Sequence, residues 1–376
     1  METSGEHLPV GVHAAEVRAL AEQPGPMVSV YLNTPGDLDH AAQFADLHWH
    51  DLRRELASRG ADPEALEHVT PVVGPAHELG PALAAFATAG GLLHVEHGPE
   101  PLPGDVGRWD RLPVLGPLLR WRQDTVPYVV VLTDRRGADI AAFGVGPAEE
   151  HVDVDPDPDD SEPIRKIKPG GWRQRKIQQR AERTWESHAH EVADAVRGVS
   201  DDVGAQVIVV GGDVRAVELL EAHLPDRLLL RLHEISGGRA PGVDTERMQS
   251  EVRRWVRDAA ARTTVAALEK FREESGQDDQ AADGVDATLA ALSESRVDVL
   301  LVHDDPDDER RAWSGPDPTP VVATPELLEG LGITEAEPGR LVDVAIRAAL
   351  GTGAGVRLVP KAGGPSDGLG AILRWH

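Results

Sequence analysis

EEHVDVDPDPDDSEPIRKIKPGGWRQRKIQQRAER, residues 149–183, reverses its charge halfway along. Residues 149–162 hold eight acids and no Lys or Arg, whereas residues 163–183 hold eight bases and one acid, Glu182. The bases are Arg165, Lys166, Lys168, Arg173, Arg175, Lys176, Arg180 and Arg183, and they surround a Pro169-Gly170-Gly171 turn. HVDV at 151–154 alternates as a strand does, and the Pro, Gly and charge that follow demand a loop. From about Arg173 to Arg197 the apolar period becomes helical, with Ile177, Ala181, Trp185, His188, Val192 and Val196 as the expected buried stripe. The stretch is therefore a strand, a basic Gly-Gly loop and a long helix.

Working outward, VPYVVVLTDRRGADIAAFGVG (126–146) predicts a strand, a tight turn and a second strand. AQVIVVGG (205–212) is a continuous apolar run, suited to a strand covered on both faces. VRAVELLEAHL (214–224) predicts a helix, RLLLRLHEI (227–235) a strand, and residues 244–274 a helix. This alternation is an α/β layer pattern and defines a middle domain at 125–275. Before it, residues 1–123 form a mixed α/β domain, with helices over 13–22 and 39–60, a strand over 27–33 and a hairpin around Gly90-Gly91. Phe44, Leu47, Leu52 and Leu56 are expected on one face of the second helix. After it, SGQDDQAADG (275–284) looks like a linker, and residues 281–376 form a third α/β domain with VDVLLVHDD, GVRLVPK and GLGAILRW as strands.

The chain has 376 residues, enough for two or three domains, and 40% of them are hydrophobic, so it can bury real cores. Only 4% are aromatic, which leaves core building to Val, Leu, Ile and Ala. The absence of cysteine removes disulfides, thiolate zinc sites and cysteine nucleophiles together. No signal-peptide pattern or membrane-length apolar run is present, so a soluble cytoplasmic chain is expected, with neither membrane nor DNA as partner.

Net charge is −26, and such a surface repels nucleic acid as a whole. Location therefore matters more than total. Of the five lysines, three (Lys166, Lys168 and Lys176) fall in the basic segment, which is the one dense basic patch visible in the sequence. Its glycines allow backbone to approach phosphate closely, and the helix start adds partial positive charge. Its bases supply the counterion-release term that dominates nucleic-acid affinity, and Trp172 can stack on a base.

Other candidates carry less. Gly211-Gly212-Asp213 lacks the P-loop and dinucleotide-binding patterns and is expected to be a structural turn. His48 with His50, and His188 with His190, stand two apart, which separates them on a helix surface. Asp304, Asp305, Asp307 and Asp308 lack calcium-loop spacing and are expected to be a solvated loop. No metal or other cofactor is expected.

The order of strand hairpin, basic Gly-Gly loop, long basic helix, VIVVGGDVRAVELL and LLLRLHEISGG resembles the middle domain of the archaeo-eukaryotic class I release factor and Pelota superfamily. VDVLLVHDD and GLGAILRWH resemble its C-terminal domain, so the resemblance covers roughly residues 125–376. It is strongest to the bacterial branch, which includes Balon-type ribosome hibernation factors, and it implies a three-domain release-factor/Pelota-like architecture. Where release factors carry Gly-Gly-Gln, this chain has Gly170-Gly171-Trp172. Neither Asn-Ile-Lys-Ser nor Tyr-x-Cys-x-x-x-Phe is present, so stop-codon reading is not expected.

The resemblance implies a ribosome-binding factor at the A site, acting in hibernation or rescue. Its basic loop (Arg165, Lys166, Lys168, Arg173, Arg175, Lys176 and Arg180) would meet large-subunit rRNA and peptidyl-tRNA, and the implied companion is elongation factor Tu. A hydrolytic alternative follows from Gly171-Trp172-Arg173-Gln174, a Gly-x-x-Gln spacing that resembles the Vms-type peptidyl-tRNA hydrolases and makes Gln174 the catalytic candidate. A third possibility is a stress-related binding protein unrelated to the ribosome, which the acidic surface leaves open.

Overall fold

The computed structural model describes residues 15–34, 41–134, 137–144, 149–154, 172–239, 244–277 and 280–375, with backbone only at 149–154, 172–187 and 277. The chain folds as two compact units, Met1–Gln123 with Thr263–His376, and Asp124–Arg262.

The first unit begins with α1 (Ala15–Glu22), β1 (Met27–Asn33), α2 (Ala41–Ser58) and α3 (Pro63–Val73). Next come β2 (Ala82–Thr88), β3 (Gly91–Gly98), β4 (Val106–Asp110) and α4 (Gly116–Asp124). The four strands make an antiparallel sheet in the order β3-β2-β1-β4. β1 is buried on both faces: Val28, Val30 and Leu32 pack under α2 and α3, while Met27 and Tyr31 face a second core. Of the face its apolar spacing predicts, α2 packs Leu52 and Leu56 on the core but not Leu47. Ala41, Ala45, Trp49 and Leu56 are buried, whereas Leu47 is 59% exposed and Phe44 stacks on the His48 ring at 4.0 Å. Trp49 supplies the bulk, and Ala45, one turn before it, lets the helix approach the sheet.

The second unit contains β5 (Tyr128–Thr133), β6 (Ala138–Phe143), β7 (Glu149–Val154) and α5 (Trp172–Val203). It continues with β8 (Val207–Gly212), α6 (Val214–His223), α7 (Asp226–Leu229), β9 (Leu232–Glu234) and the first half of α8 (Thr245–Gln277). Its sheet runs β7-β6-β5-β8-β9, antiparallel through the hairpins and parallel across β5, β8 and β9. The apolar run in β8 is covered on both faces, as its sequence predicts. Ile208 and Val210 meet α5 and α6, and Val207 and Val209 meet Val252, Val256 and Ala260 of α8. Each fully buried Val or Ile contributes about 1.5–3 kcal/mol. The expected strand over 227–235 shrinks to three residues, because Pro225 caps a short helix that carries Leu228 into the core and leaves Leu230 85% exposed.

After α8 the chain returns to the first unit with β10 (Ala281–Asp283), α9 (Val285–Ser293), β11 (Val297–Val302) and β12 (Arg311–Ser314). β13 (Val321–Val322), α10 (Pro325–Gly330), β14 (Glu337–Arg340), α11 (Leu341–Gly351), β15 (Gly355–Leu358) and β16 (Leu369–Leu373) complete it. The main sheet here is β10-β16-β11-β15, with β12, β13 and β14 as a smaller one. Part of the expected linker is therefore a strand, since Ala281–Asp283 pairs with β16.

The first and third segments of the chain share one core. Val17 and Leu20 of α1, Tyr31 of β1 and Leu118 of α4 join Leu292, Leu300, Ile346 and Val356. Gln123 seals the join by donating to the Leu358 carbonyl and accepting from the Leu358 N–H, both at 2.8 Å. Among the described residues, no helix is long and apolar enough to cross a membrane.

Candidate nucleic-acid interface

α5 begins at Trp172, so Arg173, Gln174, Arg175, Lys176 and Arg180 occupy its opening turns. Gly170, Gly171, Arg165, Lys166 and Lys168 lie outside the described residues. Downstream, Ala189, Val192, Ala193, Val196 and Val199 are buried, and the last four pack in the core that covers β5, β6 and β8. Val192 and Val196 of the expected stripe are thus in place, His188 is half-buried, and the side chains of Ile177, Ala181 and Trp185 fall outside the described set. At about 1.5 Å per residue, Trp172 stands roughly 25 Å along the helix axis from Ala189. The basic turns therefore precede the turns shown packing on the sheet, and a helix start carries partial positive charge of its own.

The carboxyl ends of β5 and β8 form a second candidate and prove structural. Gly212 has φ +151, and a Cβ there would overlap the carbonyl oxygen of Thr133. Asp213 caps α6 by accepting from the Arg215 N–H at 3.1 Å. Close backbone approach and a helix cap, rather than phosphate chemistry, explain Gly211-Gly212-Asp213. The adjacent cavity, lined by Thr133, Asp134, His188 and Arg215, measures about 20 Å³, the size of one water.

The Asp304–Asp308 stretch departs from its expectation. Asp304 is only 11% exposed and is ion-paired to Arg340, itself 5% exposed. Asp308 is 13% exposed and paired to Arg310 at 2.6 Å, whose hydrogen bonds hold its carboxyl below the usual range. Asp305 accepts from the Asp307 N–H at 3.0 Å, and of the four acids only Asp307 is exposed. The solvated loop is thus half buried, because Arg340 enters from the start of α11 and draws Asp304 inward. Asp343 joins the same arginine at 3.4 Å, and burial pushes its pKa up to about 7 against the pull of Arg340. Beside this group, His303, Asp308, Arg310, Lys361 and Asp367 line an open polar cavity of about 550 Å³. Its charges are mixed, with Asp305, Asp308 and Asp367 beside Arg310 and Lys361, so it has no net preference for an anion.

The histidine pairs do not converge. His48 Nδ1 bonds Asp105 at 2.5 Å while His50 is exposed, and His190 Nε2 lies 3.7 Å from Asp194 on its own helix. Sequence reasoning also passed over α8, where Arg247, Arg253, Arg254, Arg257 and Arg262 are all exposed. Interleaved acids at Glu251 and Asp258 mask that run in a charge count.

Residues 127–277 match the bacterial archaeo-eukaryotic release factor family 2. The chain is 28% identical to the uncharacterized Mycobacterium tuberculosis protein Rv2629 over 97% of each chain. Among solved structures it is similar to the archaeal translation termination factor aRF1, with 17% identity, 96% of each chain covered and a TM-score of 0.22. It is also similar to the Archaeoglobus fulgidus Pelota protein, with 14% identity, 78% of this chain and 80% of that one covered, and a TM-score of 0.35. The segment that matches the family contains the β5–β7 hairpins, the charge-reversing stretch, the basic start of α5, and α8. Residues 127–277 are thus similar to the bacterial archaeo-eukaryotic release factors.

Proposed function

We propose that the protein is a ribosome-binding translation factor that occupies the A site in hibernation or rescue and does not read stop codons. The observation that carries this is the concentration of eight bases in residues 163–183, leading into α5, inside the segment that matches the release factor family. On a chain of net charge −26, that is where rRNA or tRNA phosphates can be met with a counterion-release gain. Trp172 stands where release factors carry the glutamine of Gly-Gly-Gln. Indole offers one N–H donor and no acceptor, so it excludes water from an ester rather than orienting it. A plug that blocks the peptidyl-transferase centre fits that chemistry, and elongation factor Tu is the delivery partner in this reading.

The test is co-sedimentation of the full chain with 70S ribosomes, with peptidyl-tRNA complexes included and release followed in the same tubes. Binding without release, weakened by charge reversal at Arg173, Arg175 and Lys176, is the expected result. Undiminished binding of that triple variant would remove the basic segment from the interface. The hydrolytic reading rests on Gln174 lying in the first turn of α5, three residues after Gly171. Peptide release that disappears in Gln174→Ala would favour it over the plug.

A further inference from the structure

Several arginines of the second unit are ion-paired, and some of those on α8 are not. Arg197 pairs with Asp194 at 2.9 Å, Arg227 with Asp201 at 2.6 Å, Arg239 with Asp139 at 3.0 Å and Arg247 with Glu251 at 3.3 Å. Arg253, Arg254 and Arg262 are exposed, and among the described residues no carboxylate lies within ion-pair distance of them. At about 100° per residue, Arg254 lies opposite Val252, Val256 and Ala259, which are buried against the sheet, and Arg253 lies on the flank about 100° from it.

Beside them sits an aromatic platform. His233 of the edge strand β9 stacks on Trp255 with ring centroids 3.8 Å apart and planes 5° from parallel. The Arg254 guanidinium lies 4.9 Å from the centroid of the Trp255 ring. A cation held over an indole is already ordered, so it loses less rotamer freedom when it takes a ligand. Burial, and then the charge of Arg262, hold the His233 pKa below its ordinary value. Both favour the neutral imidazole, against the opposing pull of Asp258.

We propose that the arginine face of α8, with the stacked His233–Trp255 pair, is a second RNA-backbone-binding surface, separate from the basic segment at 163–183. Planar guanidinium groups match phosphate oxygens in pairs, and aromatic rings beside them suit nucleotides better than carboxylate side chains. The inference does not depend on the ribosome being the target, and its test uses a simple RNA.

Fluorescence anisotropy of a labelled RNA hairpin, titrated with the full chain across a salt series, measures it. Arg253→Glu/Arg254→Glu is expected to weaken binding by about tenfold or more and to reduce the slope of log affinity against log salt by about 2. Arg54→Glu/Arg59→Glu, an equal change of charge at exposed positions of α2 and the turn after it, is expected to leave affinity unchanged. Arg253→Gln/Arg254→Gln repeats the test without reversed charge, and circular dichroism melting confirms that each variant folds. Equal weakening by the α2 pair would make the effect one of net charge and overturn the proposal. So would undiminished binding of the α8 variants. Poly-glutamate that displaces the hairpin from the wild type but not from the α8 variant would assign the surface to an acidic protein instead. Ribosome co-sedimentation that fails while the hairpin is bound through α8 would sink the ribosomal reading and leave this one standing.

Discussion

Two arginine sites in this molecule solve opposite problems. Arg340 is 5% exposed and held between Asp304 and Asp343, while Arg253 and Arg254 stand in solvent, Arg254 with an indole ring as its polarizable neighbour. A buried guanidinium must have carboxylate partners, because its desolvation costs several kcal/mol. An exposed one needs none, since water solvates it, and it stays available to a ligand. The paired arginine therefore belongs to the architecture of the first unit, and the unpaired ones to whatever the second unit binds.

The sharpest way to break this contrast is to remove the buried cation. Arg340→Ala leaves Asp304 and Asp343 uncompensated and is expected to cost about 3–5 kcal/mol in urea unfolding. A loss below about 1 kcal/mol would mean that water already reaches the site.

Proton linkage gives the next effect. The folded-state pKa of Asp343 lies near 7 against a reference value of 3.8, so the folded protein holds this proton more tightly than the unfolded chain. Its contribution is fully favourable below about pH 4 and is lost as pH rises through about 7, up to about 4 kcal/mol at 1.36 kcal/mol per unit. Relative to Asp343→Asn, the wild type is expected to lose stability across that window. Parallel unfolding curves for the two proteins from pH 4 to 8 would show that Arg340 keeps the carboxyl ionised throughout.

Gln123→Ala tests the seam between the first and third segments. It strands the N–H and carbonyl of Leu358 and is expected to cost about 1–3 kcal/mol in thermal unfolding. The smallest effect belongs to Arg253→Gln/Arg254→Gln, expected to change stability by less than about 0.5 kcal/mol while RNA affinity falls. A large destabilisation there would make the Arg254–Trp255 contact structural and remove the distinction between the two sites.

Much of the second unit was legible in the sequence. The VVV of β5 and the IVV of β8 are too apolar and too short for anything but covered strands, and the 3.6-residue period fixed α5 and α8 to within a few residues. Legibility failed where one local signal overrode another, or where packing chose the buried face. RLLLRLHEI has a strand's composition, yet Pro225 starts a helix in it. Leu47 has a core residue's chemistry, yet Trp49 and Ala45 take the sheet-facing side. The candidate site divides the same way: the basic start of α5 is a charge run that anyone can count, whereas the arginines of α8 are diluted in sequence by Glu251 and Asp258.

By itself, the sequence determined the layer type of each segment, the position of the charge reversal and the resemblance to release factors, because periodicity, turn chemistry and charge runs are local properties. Only the tertiary structure decided that residues 1–123 and 263–376 share a core, that Asp304 and Asp343 are buried beside Arg340, and that His233 lies flat on Trp255. Each of those depends on which side chains meet across long stretches of chain, and burial, ion pairing and stacking energies exist only once they have met.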